Sequence, residues 1–565
     1  MSTVVLLLAG LPLAFALWWL FKDLIVRSPL DNIPGPPPQS WLSGHLPRIF
    51  HRHEGWKLHD ELSENYGGVS RIIGALGVKY PFFIDVTTHS VASRFQKRVL
   101  YVYDPLALHS IVIKDQAHYE EAPYINTINT LMFGPGLTTL PDEPHRRLRK
   151  MLTPVFTISH MRHMTPIFYQ VAHRLRGGIG KQVSQSSGDV DVLNWVSRTA
   201  LELVGQGGMG YSFDPLVEDA KNVFGDSIKG ILPAMFALAS YLFMTPYIVK
   251  IGSASFRRWV LDNLVPSSKV QRLKNLIDVL DSESKDLLAK KRKALEDGDE
   301  AVKQQIGEGK DIMSVLLRAN INATGVDQLS EEELLAQMRG LIFAATDTTS
   351  SALAQTLQLL SEYPEVQEKL RQEVIHASGG DIETDIAYDE LVDLPYLDAV
   401  CRETLRLYPP ATDIPRHSVK DMVLPLSTPI RGVDGTYMNE LAIPKDTRLI
   451  ISIRGCNRNK GIWGDDAYEW KPERWLSPLP NTVTDARVPG VYSNMMTFLG
   501  GSRSCIGFKF SQLEMKVVLS VLLKNFRFSP SGKKIVWNLG PAKYPTVGRE
   551  STHAELPMKV ELLKA

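Results

Sequence analysis

Cys505 is the residue with the most chemistry open to it. It sits in Phe498-Leu499-Gly500-Gly501-Ser502-Arg503-Ser504-Cys505-Ile506-Gly507, just ahead of a helical run from Phe508 to Leu523 that contains Glu514. The thiolate is the form of cysteine that attacks and binds metals, and it is favoured near a helix N-terminus and beside a cation such as Arg503. Gly501 and Gly507, on either side, permit a tight loop and a close backbone approach to something flat. The other cysteines are Cys401 and Cys456, and three so widely spaced suit neither a disulfide framework nor the paired spacing of a zinc site. Taken alone, such a cysteine is most often a small buried hydrophobe. Its neighbours make it a candidate ligand.

Two other groups of polar residues stand out. Thr346-Asp347-Thr348-Thr349-Ser350 interrupts an apolar stretch. These side chains compete for backbone hydrogen bonds, so a local distortion of the helix is expected there. Taken alone, a buried threonine in a helix usually bonds the carbonyl four residues before it and does nothing more. Glu403 and Arg406 are three apart and share a helix face, in isolation the commonest kind of surface pair. Arg474, in Trp470-Lys471-Pro472-Glu473-Arg474-Trp475, is placed to complete a charge triad with them. Buried, such a triad would fix how two segments meet more than it would add stability.

These residues need elements to hold them. Ser330 with Glu333 forms a capping box that opens a long helix over Leu334 to Leu360. Tyr396 to Tyr408 is a short helix stopped by Pro409-Pro410. Strand-like runs are few, chiefly Leu100 to Tyr103 and Leu449 to Ile453, so the fold is expected to be mainly α with minor β. Residues 80–99 lack a clear period and read as a loop insertion. Ser284 to Gly309 reads as a solvated, charge-rich helical face with a loop.

With 63 Lys and Arg against 62 Asp and Glu, the 565-residue chain carries a net charge of +1, which favours no nucleic-acid partner. Thr3 to Phe21 is uncharged, just long enough to span a bilayer, and followed by Lys22 and Arg27. No basic region precedes it, which argues against a cleaved signal. The expected organisation is a membrane anchor over 1–27, with the transmembrane part about 3–21. A proline-rich hinge follows over 28–40, then one catalytic domain over 41–565.

The segment Phe498 to Gly507 resembles the haem-binding loop of the cytochrome P450 family. Ala344 to Thr349 is similar to that family's oxygen-activating segment, Glu403 to Arg406 to its Glu-x-x-Arg motif, and Pro472 to Trp475 to its meander. The resemblance spans essentially the whole chain, including the anchor and hinge of microsomal members. It implies the cytochrome P450 fold and haem b, with Cys505 as axial ligand of the iron, Phe498 packed beside it, and Arg503 and Arg416 paired with the haem propionates. His145 and Arg149 match a Trp-x-x-x-Arg pattern in which His replaces Trp. On the distal side it gives Thr348 and Asp347 the handling of O2 and its protons. Ala345 stands where the family commonly has Gly.

The implied reaction is insertion of one oxygen atom into a lipophilic small molecule, with electrons from NADPH through the NADPH-cytochrome P450 reductase docking on the cysteine side, and cytochrome b5 as a candidate second donor. The pocket is expected along Tyr124 to Leu140, Phe343 and Ala344, Thr412 to Ile414, and Pro541 to Val547. The implied location is the endoplasmic reticulum membrane, single-pass, with the catalytic domain cytosolic. The style is that of fungal members, which points to terpenoid or other secondary-metabolite oxidation, or to xenobiotics. The rivals are an O2-independent haem-thiolate isomerase or dehydratase, which has no need of Asp347 and Thr348, and a non-catalytic membrane haem sensor.

Overall fold

The apolar run Val99-Leu100-Tyr101-Val102 is buried and, with Leu449-Ile450-Ile451, suits a pleated surface covered on both faces; the two runs lie in strands that pair in parallel. The computed structural model describes residues 28–40, 43–76, 96–185, 188–217, 223–242, 244–298, 300–301 and 306–563. Its contacts gather into two compact units, Met1–Ala122 with Asp413–Cys456, and Pro123–Thr412 with Asn457–Ala565. No linker marks the division in the sequence, because the first unit is assembled from two stretches far apart in the chain.

The first unit carries most of the sheet. Strands β1 (Val69–Leu76), β2 (Gln96–Val102) and β3 (Tyr119–Glu121) combine with β5 (Asp413–Ser418) and β8 (Arg448–Ser452) in the order β1-β2-β8-β5-β3. Leu100 faces Leu449, and Tyr101 faces Ile450. β6 (Met422–Arg431) and β7 (Tyr437–Ile443) form a separate ribbon. Helix α1 (Glu54–Asn65) contributes His59, whose Nδ1 lies 2.9 Å from the Tyr101 hydroxyl, itself 2.6 Å from Ser452 Oγ. The proline-rich stretch is packed as well as stiff. Leu30 and Ile33 are buried, the Arg71 N–H donates to the Pro34 carbonyl (2.8 Å), and Asp31 pairs with Arg71 and Arg98.

Residues 80–99 are only partly a loop. Residues 77–95 lie outside the described residues, but Val99 is in register with Arg448 within β2, so the end of the supposed insertion is sheet. Thr3 to Phe21 also lies outside the described residues, and among those described no helix is long and apolar enough to cross a membrane.

The second unit is helical. Its main elements are α2 (Pro123–Phe133), α3 (Asp142–Leu152), α4 (Ile158–Gln185), α5 (Val192–Leu203), α6 (Val223–Phe236), α7 (Ser268–Glu296), α8 (Glu331–Glu362), α9 (Pro395–Leu407) and α10 (Phe508–Asn525). Small sheets complete it, with β4 (Val190–Asp191) and β9 (Phe526–Pro530) flanking β12 (Pro557–Leu562), and β10 (Ile535–Asn538) paired with β11 (Tyr544–Val547). α8 packs on α5, α10 on α4, and α7 on α6, around a continuous apolar core that includes Phe168, Trp195, Leu353, Leu357, Leu519 and Phe526. α8 is buried along most of its length, as a helix through the middle of a domain must be.

The expected surface character of 284–309 holds only in part. Lys291 of α7 is buried and pairs with Asp311 (2.7 Å) and Ser314 (2.9 Å), because that face of the helix turns inward. The expected distortion at 346–350 is absent. Thr346 and Thr348 donate to the carbonyls of Ile342 and Ala344 (both 2.7 Å), which satisfies the hydroxyls without breaking the ladder, and packing on α5 holds the helix regular.

Candidate active site

The cysteine loop is shaped by two glycines ahead of Cys505. Gly501 has φ +70°, and a side chain on Gly500 would put its Cβ 1.6 Å from the Pro489 carbonyl oxygen. The Cys505 N–H closes the loop on the Phe498 carbonyl (2.9 Å), and α10 begins at Phe508. Gly507 is less demanding than its place after the cysteine suggests. Its φ is −88°, and an added Cβ would meet only Phe156, at 3.9 Å. Phe498 is nearly buried between the rings of Tyr492 (5.6 Å) and Phe508 (6.1 Å).

The cations around the thiol are arranged differently from the sequence expectation. Burial pushes the Cys505 thiol up, while the Gly507 N–H and the Arg149 guanidinium pull it down. Arg149, not Arg503, is the cation that acts on the sulfur. It also grips the loop, donating to the Ser504 carbonyl (2.7 Å) and to Ser504 Oγ (3.1 Å). Arg503 instead donates to the Leu140 carbonyl (2.8 Å) and stands close enough to His145 and Arg149 for its charge to lower the pKa of both. His145, one turn before Arg149 on α3, is buried, and burial together with Arg503 and Arg149 lowers its pKa to about 4. It is a neutral imidazole at physiological pH. Arg416 lies on β5 in the other unit, with its guanidinium 3.0 Å from the Pro415 carbonyl and 4.0 Å from Glu121.

On α8, Ala344 and Thr348 are exposed four residues apart among half-buried and buried neighbours, and Cys505 is exposed although protein surrounds it. Asp347 is pushed up to about 7 by burial, with Lys229 of α6 opposing the shift. Lys229 is itself lowered by burial and donates to Asn194 (3.0 Å). α8 reaches the cysteine region through Thr349, whose hydroxyl lies 3.4 Å from that of Ser511 on α10. Close by, Glu514 is fully buried with no hydrogen-bond partner for either oxygen, and burial drives its pKa well above the carboxylate range, with Thr349 slightly opposing. Its place on the helix that follows the cysteine loop, nine residues after Cys505, is visible in the sequence; its isolation is not.

The residues present fit a haem. Arg149 feels mainly its own burial, the Cys505 sulfur and the like charge of Arg503, an arrangement that an anionic group would balance. Among the described residues no three His, Cys, Asp or Glu side chains gather as a bare metal site needs.

The Glu403 network brings together all three predicted members. Arg406 Nε and Nη2 donate to the Glu403 carboxylate (both 2.8 Å), and Arg474 Nε reaches it at 3.4 Å. Trp475 Nε1 (3.0 Å) and the Lys471 N–H (3.1 Å) add donors that spacing did not suggest. The remaining N–H groups of Arg406 go to the carbonyls of Asn457 (3.0 Å), Ala467 (2.7 Å) and Glu469 (3.3 Å).

The family model for cytochrome P450 matches residues 92–542. Cytochrome P450 monooxygenase 91 of Postia placenta is 51% identical over 550 residues, covering 97% of each chain. Ganoderic acid synthetase of Ganoderma lucidum is 45% identical over 570 residues, covering 100% of this chain and 99% of its own. A cytochrome P450 monooxygenase of Hericium erinaceus is 39% identical over 551 residues, covering 96% of each.

Proposed function

The chain belongs to the cytochrome P450 family and is a monooxygenase, an oxidoreductase that uses haem, O2 and reductase-derived electrons; from that premise we propose that it oxidises a lipophilic secondary metabolite, of the terpenoid class, beside α8. The observation that carries this reading is the accessible row of Ala344 and Thr348, joined through Thr349 and Ser511 to the helix that follows the accessible Cys505. Bound haem, as haem b, supplies the activation of dioxygen, which a thiolate ligand promotes by electron donation. Cys505 would hold it, Arg149, Arg503 and His145 would meet its carboxylates, and Phe498 would limit water at the sulfur. Thr348 offers a hydroxyl at the open face, and Asp347, titrating near neutrality, can take and return a proton there.

The substrate class rests on analogy: a relative 45% identical to this chain is named for ganoderic acid synthesis. We assign the electrons to an NADPH-dependent reductase, with cytochrome b5 as a second donor, and place the chain on the endoplasmic reticulum through the apolar segment Thr3 to Phe21, its catalytic part cytosolic. Co-expression with a P450 reductase in microsomes, followed by a panel of terpenes, sterols, fatty acids and aromatics, tests the reading. NADPH-dependent products heavier by one oxygen atom are expected. Conversion of a hydroperoxide without NADPH, and no oxygenated product with it, would favour the isomerase reading and overturn this one.

A further inference from the structure

Seven residues between α2 and α3, Gly134-Pro135-Gly136-Leu137-Thr138-Thr139-Leu140, form a turn laid directly on α8. Gly134 has φ +92°, and an added Cβ would meet Glu332 (3.1 Å), Ala336 (3.3 Å) and Arg339 (3.4 Å). Side chains hold this backbone at three points. Arg339 donates to the Phe133 carbonyl (3.1 Å), the Leu137 N–H donates to Gln337 Oε1 (3.2 Å), and Arg503 donates to the Leu140 carbonyl (2.8 Å).

Arg339 is the unusual member. It is 5% exposed, yet its charge is met by two carboxylates at the protein's rim, Asp281 of α7 and Glu332 of α8 (3.4 Å). A single guanidinium thus ties the end of α2 to α7 and α8. A planar fork can bridge several acceptors at once where an ammonium cannot. The Phe133 ring lies against Phe343 (centroids 4.7 Å apart), and Phe343 directly precedes Ala344, one turn from Asp347 and Thr348. Displacing the Phe133 carbonyl would therefore displace the aromatic pair that stands next to the accessible face of α8. Stability alone does not require this arrangement, since a buried arginine is costly to desolvate and the turn has its own internal bonds from Thr139 to Gly134 (3.0 Å) and Gly136 (3.1 Å).

We propose that Arg339 is a specificity-determining positioning residue: by pinning the Phe133 carbonyl to α8 it sets where Phe133 and Phe343 stand, and so how large a molecule fits beside Ala344 and Thr348. This rests on the proposed haem-thiolate site. The test uses the full-length haem-loaded chain and two azoles that bind haem iron, small imidazole and bulky clotrimazole, followed by spectral titration. Arg339→Gln should keep the thiolate spectrum of the reduced, carbon-monoxide-bound form and bind imidazole within about twofold of wild type, while clotrimazole affinity changes by about tenfold, near 1.4 kcal/mol. Arg339→Lys should recover less than half of that change on a logarithmic scale, because it keeps the charge and loses the fork. Amide hydrogen exchange over residues 124–137 should speed up in Arg339→Gln.

An unchanged ratio of the two affinities overturns the inference, as does an equal loss of both with loss of haem, which is the signature of a merely structural residue. Should Arg339→Gln fail to fold, Asp281→Asn removes the rim anchor instead. It should move the ratio in the same direction, and no movement overturns the inference. A wild-type chain without the thiolate spectrum would defeat the proposed function itself, and this inference with it; a normal wild-type spectrum with an unmoved ratio defeats the inference alone.

Discussion

Glu403 and Glu514 are both fully buried carboxyl groups on helices of the same unit, and their surroundings are opposite. Glu403 receives five donors, two of them from Arg406, whose own N–H groups are all engaged. Neither Glu514 oxygen has a hydrogen-bond partner in good geometry and only Thr349 opposes its shift, while burial pushes up Asp347 and Cys505 as well, against the weaker pull of Lys229 on the one and of Arg149 and the Gly507 N–H on the other. A saturated network resists every change, which suits a joint between segments. A group starved of partners has its charge state open to whatever arrives, which suits chemistry. The comparison teaches that burial alone does not distinguish scaffold from site; the count of satisfied bonds does.

The contrast can be broken most severely at Cys505. Cys505→Ala should abolish the thiolate-type spectrum of the reduced, carbon-monoxide-bound protein, while circular dichroism keeps its helical signature; an unchanged spectrum would remove the ligand assignment. Arg406→Ala should do the reverse damage, since it leaves Glu403 buried with a lost cation. It should cost about 3–5 kcal/mol, read as a collapse of thermal stability and haem retention together. Full stability in that variant would mean that the saturated network is no joint at all.

On the starved side, Thr348→Ala should retain haem and fold normally, but lose about tenfold or more of product per NADPH consumed, within the range of proton-handling groups. Asp347 supplies a pH test. Its pKa is raised to about 7, so it is protonated in the fold below that pH and charged above it. As a stability contribution, the favourable neutral form is complete below the ordinary carboxyl value and is lost as pH rises through 7. Product per NADPH should fall over the same interval as the donor proton is lost, the step should vanish in Asp347→Asn, and Lys229→Gln should move it to higher pH by removing the opposing charge. A profile flat through neutrality in wild type would contradict this. The smallest effect is expected for Glu514→Met, which removes an unpartnered carboxyl at similar length and should stabilise the fold by about 1–3 kcal/mol in chemical denaturation.

Much of the site was legible because it is written in short spacings. The cysteine loop, the Ser330–Glu333 cap and the Glu403–Arg406 pair are each set by neighbours within ten residues, where backbone geometry leaves few choices. The misreadings arose where a local preference met a tertiary surface. Hydroxyls at 346–350 favour distortion in isolation, yet back-bonding and packing on α5 keep α8 regular. Arg503 is close to Cys505 in sequence, yet Arg149, some 350 residues earlier, is the cation the sulfur feels. Nothing in the spacing of Arg339 and Phe133 foretells their bond.

By itself, then, the sequence determined the elements, the helix caps, the cysteine loop and the class of chemistry, because propensity, capping and glycine-dependent turns act over a few residues. Only the tertiary structure decided which buried groups find partners. Satisfaction of a charge depends on donors from segments hundreds of residues apart, so Glu403 became scaffold and Cys505, with Asp347 beyond it on α8, was left open to react.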